Sequence, residues 1–238
     1  MQIVKAKFIE KIERTATVCS FRFAPQLKVF FKAGQFLQVL FNAENLMDRE
    51  LNKFLSYSNA PQDDYIEVTK RLSASKFSDK LRNLKIGDEV SLKGPLGNCV
   101  LAPNHNEIVF LIGGIGVTPC ISMLLDLANN NFSDYGINIF YANRNEQEIA
   151  FKNEFDELVK KYPRNLRIFH ILSECNISDF DCIVGMIRED VIAQKIKDIH
   201  SKYFYIFGPP AMVNAMKGVC NNLGCPKDKV ISESFIGY

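Results

Sequence analysis

The stretch of sequence that decides the fold is residues 108–119, IVFLIGGIGVTP, where an apolar run passes directly into a glycine-rich turn. The run 108–112 predicts a buried β-strand, and Pro119 suits the first turn of a helix that follows. Glycines between them let the backbone approach a pyrophosphate closely. The residues that this turn would contribute to a nucleotide site are Gly113, Gly114, Gly116 and Thr118. A strand before the turn and a helix after it favour nucleotide binding over an ordinary tight turn.

The rest of the C-terminal half alternates predicted strands with predicted helices. Further apolar strands are predicted at 137–141, 166–171, 203–207 and 229–232. Apolar residues at helical spacing predict helices around 121–128, 151–158 and 212–219. Asn145 followed by Glu148 predicts a helix start, and Gly224 with Pro226 predicts a helix stop. This alternation predicts an open parallel α/β sheet of the Rossmann-like kind, covered by helices on both faces.

A second glycine-containing turn follows the strand predicted at 203–207 and opens another helix. Its residues are Gly208, Pro209, Pro210 and Met212. Ligands of open parallel sheets bind beyond the carboxyl ends of the strands, where helix N-termini offer backbone donors to anions. Two such turns at one sheet edge can bracket a single nucleotide. The alternative is that both are only tight connections between a strand and a helix.

The N-terminal part has a different pattern, in which short alternating runs are separated by turn residues. The runs are IVKAKFI, ATVCSFRF, QFLQVLF, YIEVTKR and DEVSLKG. They predict an antiparallel β-barrel, interrupted by one helix near 76–84. The polar segment 102–106 is the natural joint between the two patterns. We therefore predict a barrel domain at 1–102 and an α/β domain at 103–238.

The composition excludes some classes of function. Lys and Arg total 29 against 27 Asp and Glu, so no excess of positive charge exists to bind a nucleic acid backbone. The charged N-terminal segment lacks the apolar core of a secretory leader, which predicts a cytoplasmic protein. Residues 108–127 are apolar over about the length of a membrane span. Because three glycines, Pro119 and Asp126 interrupt them, we expect a strand, a turn and a helix, and no membrane span.

The seven cysteines are scattered without a Cys-x-x-Cys pair. This pattern predicts reduced, mostly buried thiols. The tight clustering that iron–sulfur ligation needs is absent, so no metal site is predicted.

Nearly the whole chain resembles the ferredoxin-NADP reductase-like flavoproteins, with the motifs in the same order. The C-terminal half carries GGIGVTP, YANRNEQEIAF and FGPPAMV and ends in ESFIGY, and the N-terminal half carries AGQF, SYSNAP, VTKR, SKFSDKL and KGPLGN. The resemblance implies a Greek-key barrel that holds FAD, with FMN less favoured, followed by a domain that binds a nicotinamide nucleotide. It also implies hydride transfer from nicotinamide C4 to flavin N5, in which the cofactor supplies the chemistry.

The resemblance also assigns residues to the flavin site. Tyr57 and Ser58 match a pair in which the aromatic ring lies against the flavin and the hydroxyl lies near N5; with Glu233 they are the catalytic candidates. On its own, Tyr57 is better explained as an ordinary barrel aromatic. Glu233 and Phe235 match a terminal acid and aromatic, and either Phe235 or Tyr238 would cover the flavin face. Residues that match the strand along the flavin chain and the helix start at its pyrophosphate are Val68, Thr69, Lys70, Lys76, Phe77 and Ser78.

Two positions depart from the family pattern. Leu55 stands where the family commonly has an arginine that pairs with the flavin phosphates. A lysine does not reproduce a bidentate guanidinium, but nearby cations offer electrostatic substitutes: Lys53, Lys70, Arg71 and Lys76. Phe207 stands where a cysteine close to the nicotinamide is common.

Three residues bear on the choice between NADH and NADPH. NADP-selective relatives often place Ser-Arg after the third strand, and here the pair is Ser173-Glu174. A carboxylate repels a 2′-phosphate and accepts a hydrogen bond from a ribose hydroxyl. Arg144 points the other way because a guanidinium pairs with phosphate. The balance favours NADH, with solvated loop charge as the alternative explanation of Arg144 and Glu174.

The leading hypothesis for function is a flavin-dependent NAD(P)H reductase that passes electrons to a ferredoxin, a flavodoxin or another redox acceptor. A second hypothesis is an electron-transfer subunit that acts only within a larger redox complex. A third is a nucleotide-binding module that has lost flavin, which the leucine at position 55 keeps open. Reduction of free flavin or of another small molecule is a further enzymatic option.

Overall fold

The computed structural model describes residues 2–175 and 181–235. The chain divides into two compact units, which over these residues comprise 2–100 with Thr118–Asn129, and Leu101–Val117 with 130–235. Each unit has its own six-stranded sheet.

The first unit is an antiparallel sheet whose first strand buries alternate residues. Its strands are β1 Gln2–Glu13, β2 Val18–Pro25, β3 Phe36–Leu40, β4 Asn52–Ser56, β5 Ile66–Arg71 and β6 Glu89–Leu96. They lie in the order β4-β3-β6-β1-β2-β5. In β1 the inward positions Val4, Ala6 and Phe8 are buried while their neighbours are exposed, as a half-buried strand requires.

A single isolated bridge brings the two ends of this sheet together. Tyr57, directly after β4, pairs with Val68 in β5, and the amide of Ser58 donates to the carbonyl of Glu67 at 2.9 Å. The sheet is therefore a nearly closed barrel, which confirms the predicted antiparallel barrel. An aromatic core fills it, with Phe21, Phe23 and Phe77 fully buried.

One strand and one helix complete the comparison with the predicted barrel. The strand β4 was not predicted, because its sequence NKFLS is short and begins with polar residues. The helix predicted near 76–84 is confirmed as α1 Lys76–Arg82, whose N-cap Ser75 accepts a hydrogen bond from the amide of Ser78.

The second unit contains a parallel sheet. Its strands are β7 Glu107–Gly113, β8 Gly136–Asn143, β9 Leu166–Leu172, β10 Ile183–Val184, β11 Tyr203–Gly208 and β12 Val230–Ser234. They lie in the order β10-β9-β8-β7-β11-β12. From β7 the chain therefore winds outward first through β8 and β9, and then on the other side through β11 and β12. This doubly wound order confirms the predicted Rossmann-like sheet.

The remaining helices are α2 Val117–Asn129, α3 Lys152–Lys161, α4 Glu189–Lys195 and α5 Pro210–Asn222. The predicted helix start at Asn145 is wrong. Glu146–Glu148 form a single 3₁₀ turn, Ile149 is extended and Phe151 has a left-handed φ of 61°, so α3 begins only at Lys152. Among the described helices, none combines the length and apolar character needed to cross a bilayer.

The cysteines differ from prediction at one pair. Cys175 and Cys182 form a disulfide, so the prediction of reduced thiols is wrong for these two. The five cysteines that remain free are buried, namely Cys19, Cys99, Cys120, Cys220 and Cys225.

Candidate nucleotide and flavin sites

The two glycine turns lie side by side at the carboxyl edge of the parallel sheet. Residues Ile112 and Phe207 are paired neighbours at the ends of β7 and β11, so Gly113 and Gly208 follow next to each other. The strand order reverses between β7 and β11, and this is the position at which open α/β sheets bind their ligands. The predicted proximity of the two turns is thus a property of the fold.

The glycines of these turns are needed for different structural reasons. Gly114 has a φ of +49°, in the left-handed region that favours glycine. A Cβ at Gly116 would collide with the carbonyl of Phe207, and a Cβ at Gly208 would lie 2.9 Å from the sulfur of Met212. Met212 also packs against Gly113. The glycines therefore let the two turns approach, and Met212 fills the space between them.

The other predicted residues of these turns lie at helix starts. Thr118 follows the first residue of α2 and is 3% exposed. Pro209 is the N-cap of α5 and Pro210 its first residue, and both are exposed. Phe207, in place of the family's cysteine, is fully buried and packs on Phe110.

An ion pair stands at the same edge beyond β8 and β9. Arg144 Nε donates to Glu174 Oε1 at 2.9 Å, and both side chains are more than half exposed. Ser173 donates to the backbone carbonyl of Arg144 at 3.3 Å. The hydrogen bond from Arg144 thus occupies the carboxylate that was predicted to select the nucleotide, and the carboxylate neutralises the guanidinium.

Two asparagines at this edge were not predicted. The side-chain amide of Asn143, the last residue of β8, is buried, and so is the side-chain oxygen of Asn145; neither has a hydrogen-bond partner within the described residues. Buried amides without partners are costly, so these atoms fit a polar ligand. The sequence feature that could have indicated this site is Asn143, a polar residue directly after the apolar run INIFYA.

Glu233 occupies the far side of the edge, in β12, where it pairs with Phe207 of β11. Its Oε2 atom is buried and has no hydrogen-bond partner in the described part of the chain. Burial raises the pKa of Glu233 to about 7. Two residues further along the chain, the backbone N–H of Phe235 donates to the carbonyl of Gly208 at 3.0 Å. Tyr238 lies outside the described residues.

In the barrel, Tyr57 is stacked and buried. Its ring lies parallel to that of Phe31 with centroids 3.8 Å apart, and the side chain is 0% exposed. Its hydroxyl has no hydrogen-bond partner among residues 2–175 and 181–235. Desolvation raises the pKa of the phenol. A ligand reaches this ring only if the residues that cover it move.

Ser58 and Thr69 belong to a buried polar cluster. Ser58 donates to Glu67 at 2.9 Å and lies 2.8 Å from the Thr69 hydroxyl. Glu67 is 2% exposed and also binds Arg14 and Arg22. The Ser58 hydroxyl is therefore already engaged with other side chains of the barrel.

The cations near Leu55 separate into paired and unpaired groups. Leu55 packs on the barrel core. Lys76 forms an exposed ion pair with Glu50 at 2.6 Å, and Arg71 donates to Thr17. Lys70 is 6% exposed, and the structure gives it no carboxylate partner within the described residues. Desolvation, with a smaller contribution from Lys53, lowers its pKa.

Three other residues predicted for the flavin site lie within the barrel or are bonded to it. Val68 and Phe77 lie in its core, and Ser78 accepts a hydrogen bond from the amide of Ser73. Within the described residues, the buried phenol of Tyr57 has no hydrogen-bond partner and Lys70 has no carboxylate partner. These groups fit a ligand that carries phosphate and polar ring atoms, as FAD does.

Two family models match this chain. Residues 5–100 match the oxidoreductase FAD-binding domain family, and residues 110–218 match the oxidoreductase NAD-binding domain family. The NADH-cytochrome b5 reductase 2 of Candida glabrata is 29% identical over 171 residues, which are 71% of this chain and 57% of that protein. The chain spans little more than half the length of the curated relatives that it matches first.

Solved structures share the fold across nearly the whole chain. The FAD/NAD-binding domain of a Vibrio cholerae nitric oxide dioxygenase has a TM-score of 0.84 at 20% identity and covers 98% of each chain. A ferredoxin NADP+ reductase of Neisseria gonorrhoeae, with FAD and NADP bound, has a TM-score of 0.83 at 16% identity, covering 98% of this chain and 99% of that one.

The chain joins a domain of the oxidoreductase FAD-binding family to a domain of the oxidoreductase NAD-binding family. Its fold is that of the ferredoxin-NADP reductase-like flavoproteins. The predicted resemblance is confirmed, as are FAD and a nicotinamide nucleotide as the ligands of its two domains.

Proposed function

We propose that the chain is an FAD-dependent NADH oxidoreductase that passes electrons to a redox acceptor. One observation carries the proposal: two glycine turns flank the switch point of a parallel sheet, in a chain whose other unit is an FAD-binding barrel. The curated relative from Candida glabrata is an NADH-cytochrome b5 reductase, which supports both the electron donor and a redox protein as acceptor.

The nicotinamide nucleotide binds at the carboxyl edge of the parallel sheet. The turns after β7 and β11 bring backbone groups to its pyrophosphate, where the helix dipoles favour negative charge. Asn143 and Asn145 supply amide groups that lack partners in the described structure. The residues proposed for this site are Gly113, Gly114, Gly116, Thr118, Asn143, Arg144, Asn145, Ser173, Glu174, Gly208, Pro209, Pro210 and Met212.

The flavin binds to the barrel. Lys70 is the best-supported cation for its phosphates because Lys76 is paired and Leu55 carries no charge. The backbone of Val68 and Thr69 borders the flavin. The start of α1, with Lys76, Phe77 and Ser78, lies at the flavin pyrophosphate. Phe235 and Tyr238 are the proposed covering aromatics.

Bound FAD supplies a two-electron acceptor that can release electrons singly. The protein orients the ligands and excludes water, with Tyr57 as the stacking group and Ser58 as the hydrogen-bonding group. Glu233 is about half protonated near neutral pH, because its pKa lies at about 7. It can therefore hold or give up a proton at the sheet edge under working conditions.

NADH is the proposed electron donor. Glu174 neutralises Arg144 through their hydrogen bond, so the guanidinium is not free to bind a 2′-phosphate without first losing that partner. The carboxylate itself repels a phosphate. Both effects favour the nucleotide without the extra phosphate.

The test is the visible spectrum of the purified chain, reconstituted with FAD and then titrated anaerobically with NADH and, in parallel, with NADPH. We expect flavin absorbance that bleaches at lower NADH than NADPH concentration. A chain that takes up no FAD contradicts the proposal. Bleaching by NADPH alone contradicts the choice of donor. Addition of oxidised cytochrome b5, ferredoxin or flavodoxin to the reduced protein then identifies the acceptor class by the return of flavin absorbance.

A further inference from the structure

A chain of buried hydrogen bonds connects Arg14 to Ser58. Arg14 Nε lies 2.8 Å from Ser20 Oγ, Ser20 Oγ lies 2.6 Å from Thr69 Oγ1, and Thr69 Oγ1 lies 2.8 Å from Ser58 Oγ. Ser58 Oγ lies 2.9 Å from Glu67 Oε1, where the chain ends. Ser20, Ser58, Glu67 and Thr69 are all at most 2% exposed.

The direction of every bond in this chain is fixed by Glu67. A carboxylate only accepts hydrogen bonds, and a serine or threonine hydroxyl has one proton to donate. Arg22 donates to one carboxylate oxygen of Glu67 at 2.8 Å, and Arg14 donates to the other at 3.3 Å. The single proton of Ser58 is therefore committed to Glu67.

The remaining bonds follow from that commitment. Thr69 must donate to Ser58, because Ser58 has no second proton. Ser20 must then donate to Thr69, and Arg14, which only donates, supplies Ser20. Ser58 thus gives its proton to Glu67 and accepts one from Thr69, and no donor within the described residues uses its second lone pair. A group that approaches Ser58 Oγ finds an acceptor.

We propose that Glu67 is a positioning residue that fixes Ser58 as a hydrogen-bond acceptor toward the flavin. The inference rests on the proposed function, in which Ser58 lies near flavin N5. N5 is an acceptor in oxidised flavin and carries a proton in two-electron-reduced flavin. A Ser58 hydroxyl that can only accept forms a hydrogen bond with N5 when the flavin is reduced. When the flavin is oxidised, a lone pair of Ser58 Oγ faces the lone pair of N5. Glu67 thereby favours the reduced flavin.

The test is the midpoint potential of bound FAD in four proteins: the wild type, Ser58→Ala, Glu67→Gln and the double variant. Ser58→Ala leaves every charge in place, so the sign of its effect reports the polarity of the hydroxyl. We expect about a tenfold fall in the ratio of reduced to oxidised flavin at fixed potential, which is about 30 mV for a two-electron couple. A rise in potential would show that Ser58 donates to oxidised N5 and would overturn the inference.

The double variant isolates the part played by Glu67. In Glu67→Gln the amide oxygen stays with Arg22 and the amide nitrogen faces Ser58, which frees the serine proton. The four proteins form a double-mutant cycle. Because Glu67→Gln and the double variant lack the same charge, its effect on the midpoint potential cancels when these two are compared. We expect Ser58→Ala to have no effect, or the opposite effect, in the Glu67→Gln background. An unchanged effect would overturn the role of Glu67.

Two controls complete the experiment. Ser20→Ala removes a hydroxyl from the far end of the chain and leaves the Ser58 to Glu67 bond intact, so its potential should equal that of the wild type. If the Glu67 variants do not fold, the sign obtained with Ser58→Ala alone still decides the polarity. A wild type that binds no FAD overturns the proposed function and this inference together. A wild type with bound FAD and the wrong sign overturns this inference alone.

Discussion

The sheet edge and the barrel build their candidate sites in opposite ways. At the edge, the fold itself brings Gly113 and Gly208 together, and the charged pair Arg144 and Glu174 is exposed. In the barrel, Ser58 and Glu67 are buried and bound to one another. The edge therefore depends on close backbone approach, whereas the barrel depends on a polar network.

This difference has an energetic consequence. An exposed ion pair contributes little to stability because water screens it, whereas breaking a buried pair leaves an uncompensated charge. Substitutions in the barrel should therefore be costly to the fold. Substitutions at the edge should mostly change ligand binding, except where a glycine permits a backbone contact.

The largest effect is expected for Glu67→Ala. It leaves Arg14 and Arg22 without their shared partner, at 11% and 26% side-chain exposure. We expect a loss of about 3 kcal/mol in the free energy of unfolding, measured by urea denaturation. Glu10→Ala removes the half-exposed partner of Arg22 and is the matched control, with a cost of at most about 1 kcal/mol. Equal costs for the two variants would contradict the contrast between buried and exposed pairs.

Next in size is Gly116→Ala at the sheet edge. The added Cβ meets the carbonyl of Phe207, which is backbone and cannot rotate away. We expect a loss of about 2 kcal/mol and weaker NADH binding, measured by thermal unfolding and fluorescence titration. Gly218→Ala is the control: it lies within α5 in open space, so it should gain about 1 kcal/mol. A Gly116→Ala protein as stable as the wild type would show that the two turns can separate freely.

A smaller effect is expected for Glu233→Gln, and it depends on pH. The folded state raises the pKa of Glu233 to about 7, above its unfolded value, so folding favours the protonated form. The contribution of Glu233 to stability is fully present below the unfolded pKa and is lost as pH rises through 7. Wild-type stability should therefore fall between pH 5 and 8, relative to Glu233→Gln, by on the order of 1 kcal/mol.

Urea denaturation at several pH values measures this difference. Glu189→Gln is the control, because a hydrogen bond from Asn222 lowers the pKa of the exposed Glu189 and gives the opposite sign. Parallel pH profiles for the wild type and Glu233→Gln would disprove the assignment of a raised pKa.

The smallest effect on free energy is expected for Glu174→Gln. It releases Arg144 from an exposed ion pair and removes a charge that repels phosphate. We expect NADPH to bind about fivefold more tightly, with little change for NADH, because exposed charge interactions contribute at most about 1 kcal/mol. Asp190→Asn, which breaks the exposed pair with Arg188, should leave both affinities unchanged. An equal gain for both nucleotides would argue against selection at the 2′-position.

The sequence predicted what depends on local pattern. Five strands of the parallel sheet, the helix at 76–84 and the pairing of two glycine turns at one edge follow from periodicity and turn chemistry. The motif order along the chain predicted the family. The short strand β4 and the two-residue strand β10 escaped because they carry too few residues to show a period.

The missed features depend on contacts between distant residues. Glu67 sits in the run YIEVTKR, where nothing marks it as the centre of a buried network with Arg14 and Arg22. Arg144 and Glu174 were weighed as separate charges because 30 residues separate them, whereas the structure pairs them. The disulfide of Cys175 and Cys182 was missed although only seven residues separate them, because the scattered cysteines include no Cys-x-x-Cys pair.

The isolated bridge between Tyr57 and Val68 joins the two ends of the barrel sheet, and we call this junction the seam. Backbone protection against hydrogen exchange should be lowest along that seam, because an isolated bridge has no flanking ladder to hold it closed. The amide of Ser58, which donates across the seam to Glu67, is the natural reporter. Brief opening there would expose the covered ring of Tyr57 and the hydroxyl of Ser58. We therefore expect the folded protein to take up flavin slowly, at a rate that follows hydrogen exchange of the Ser58 amide.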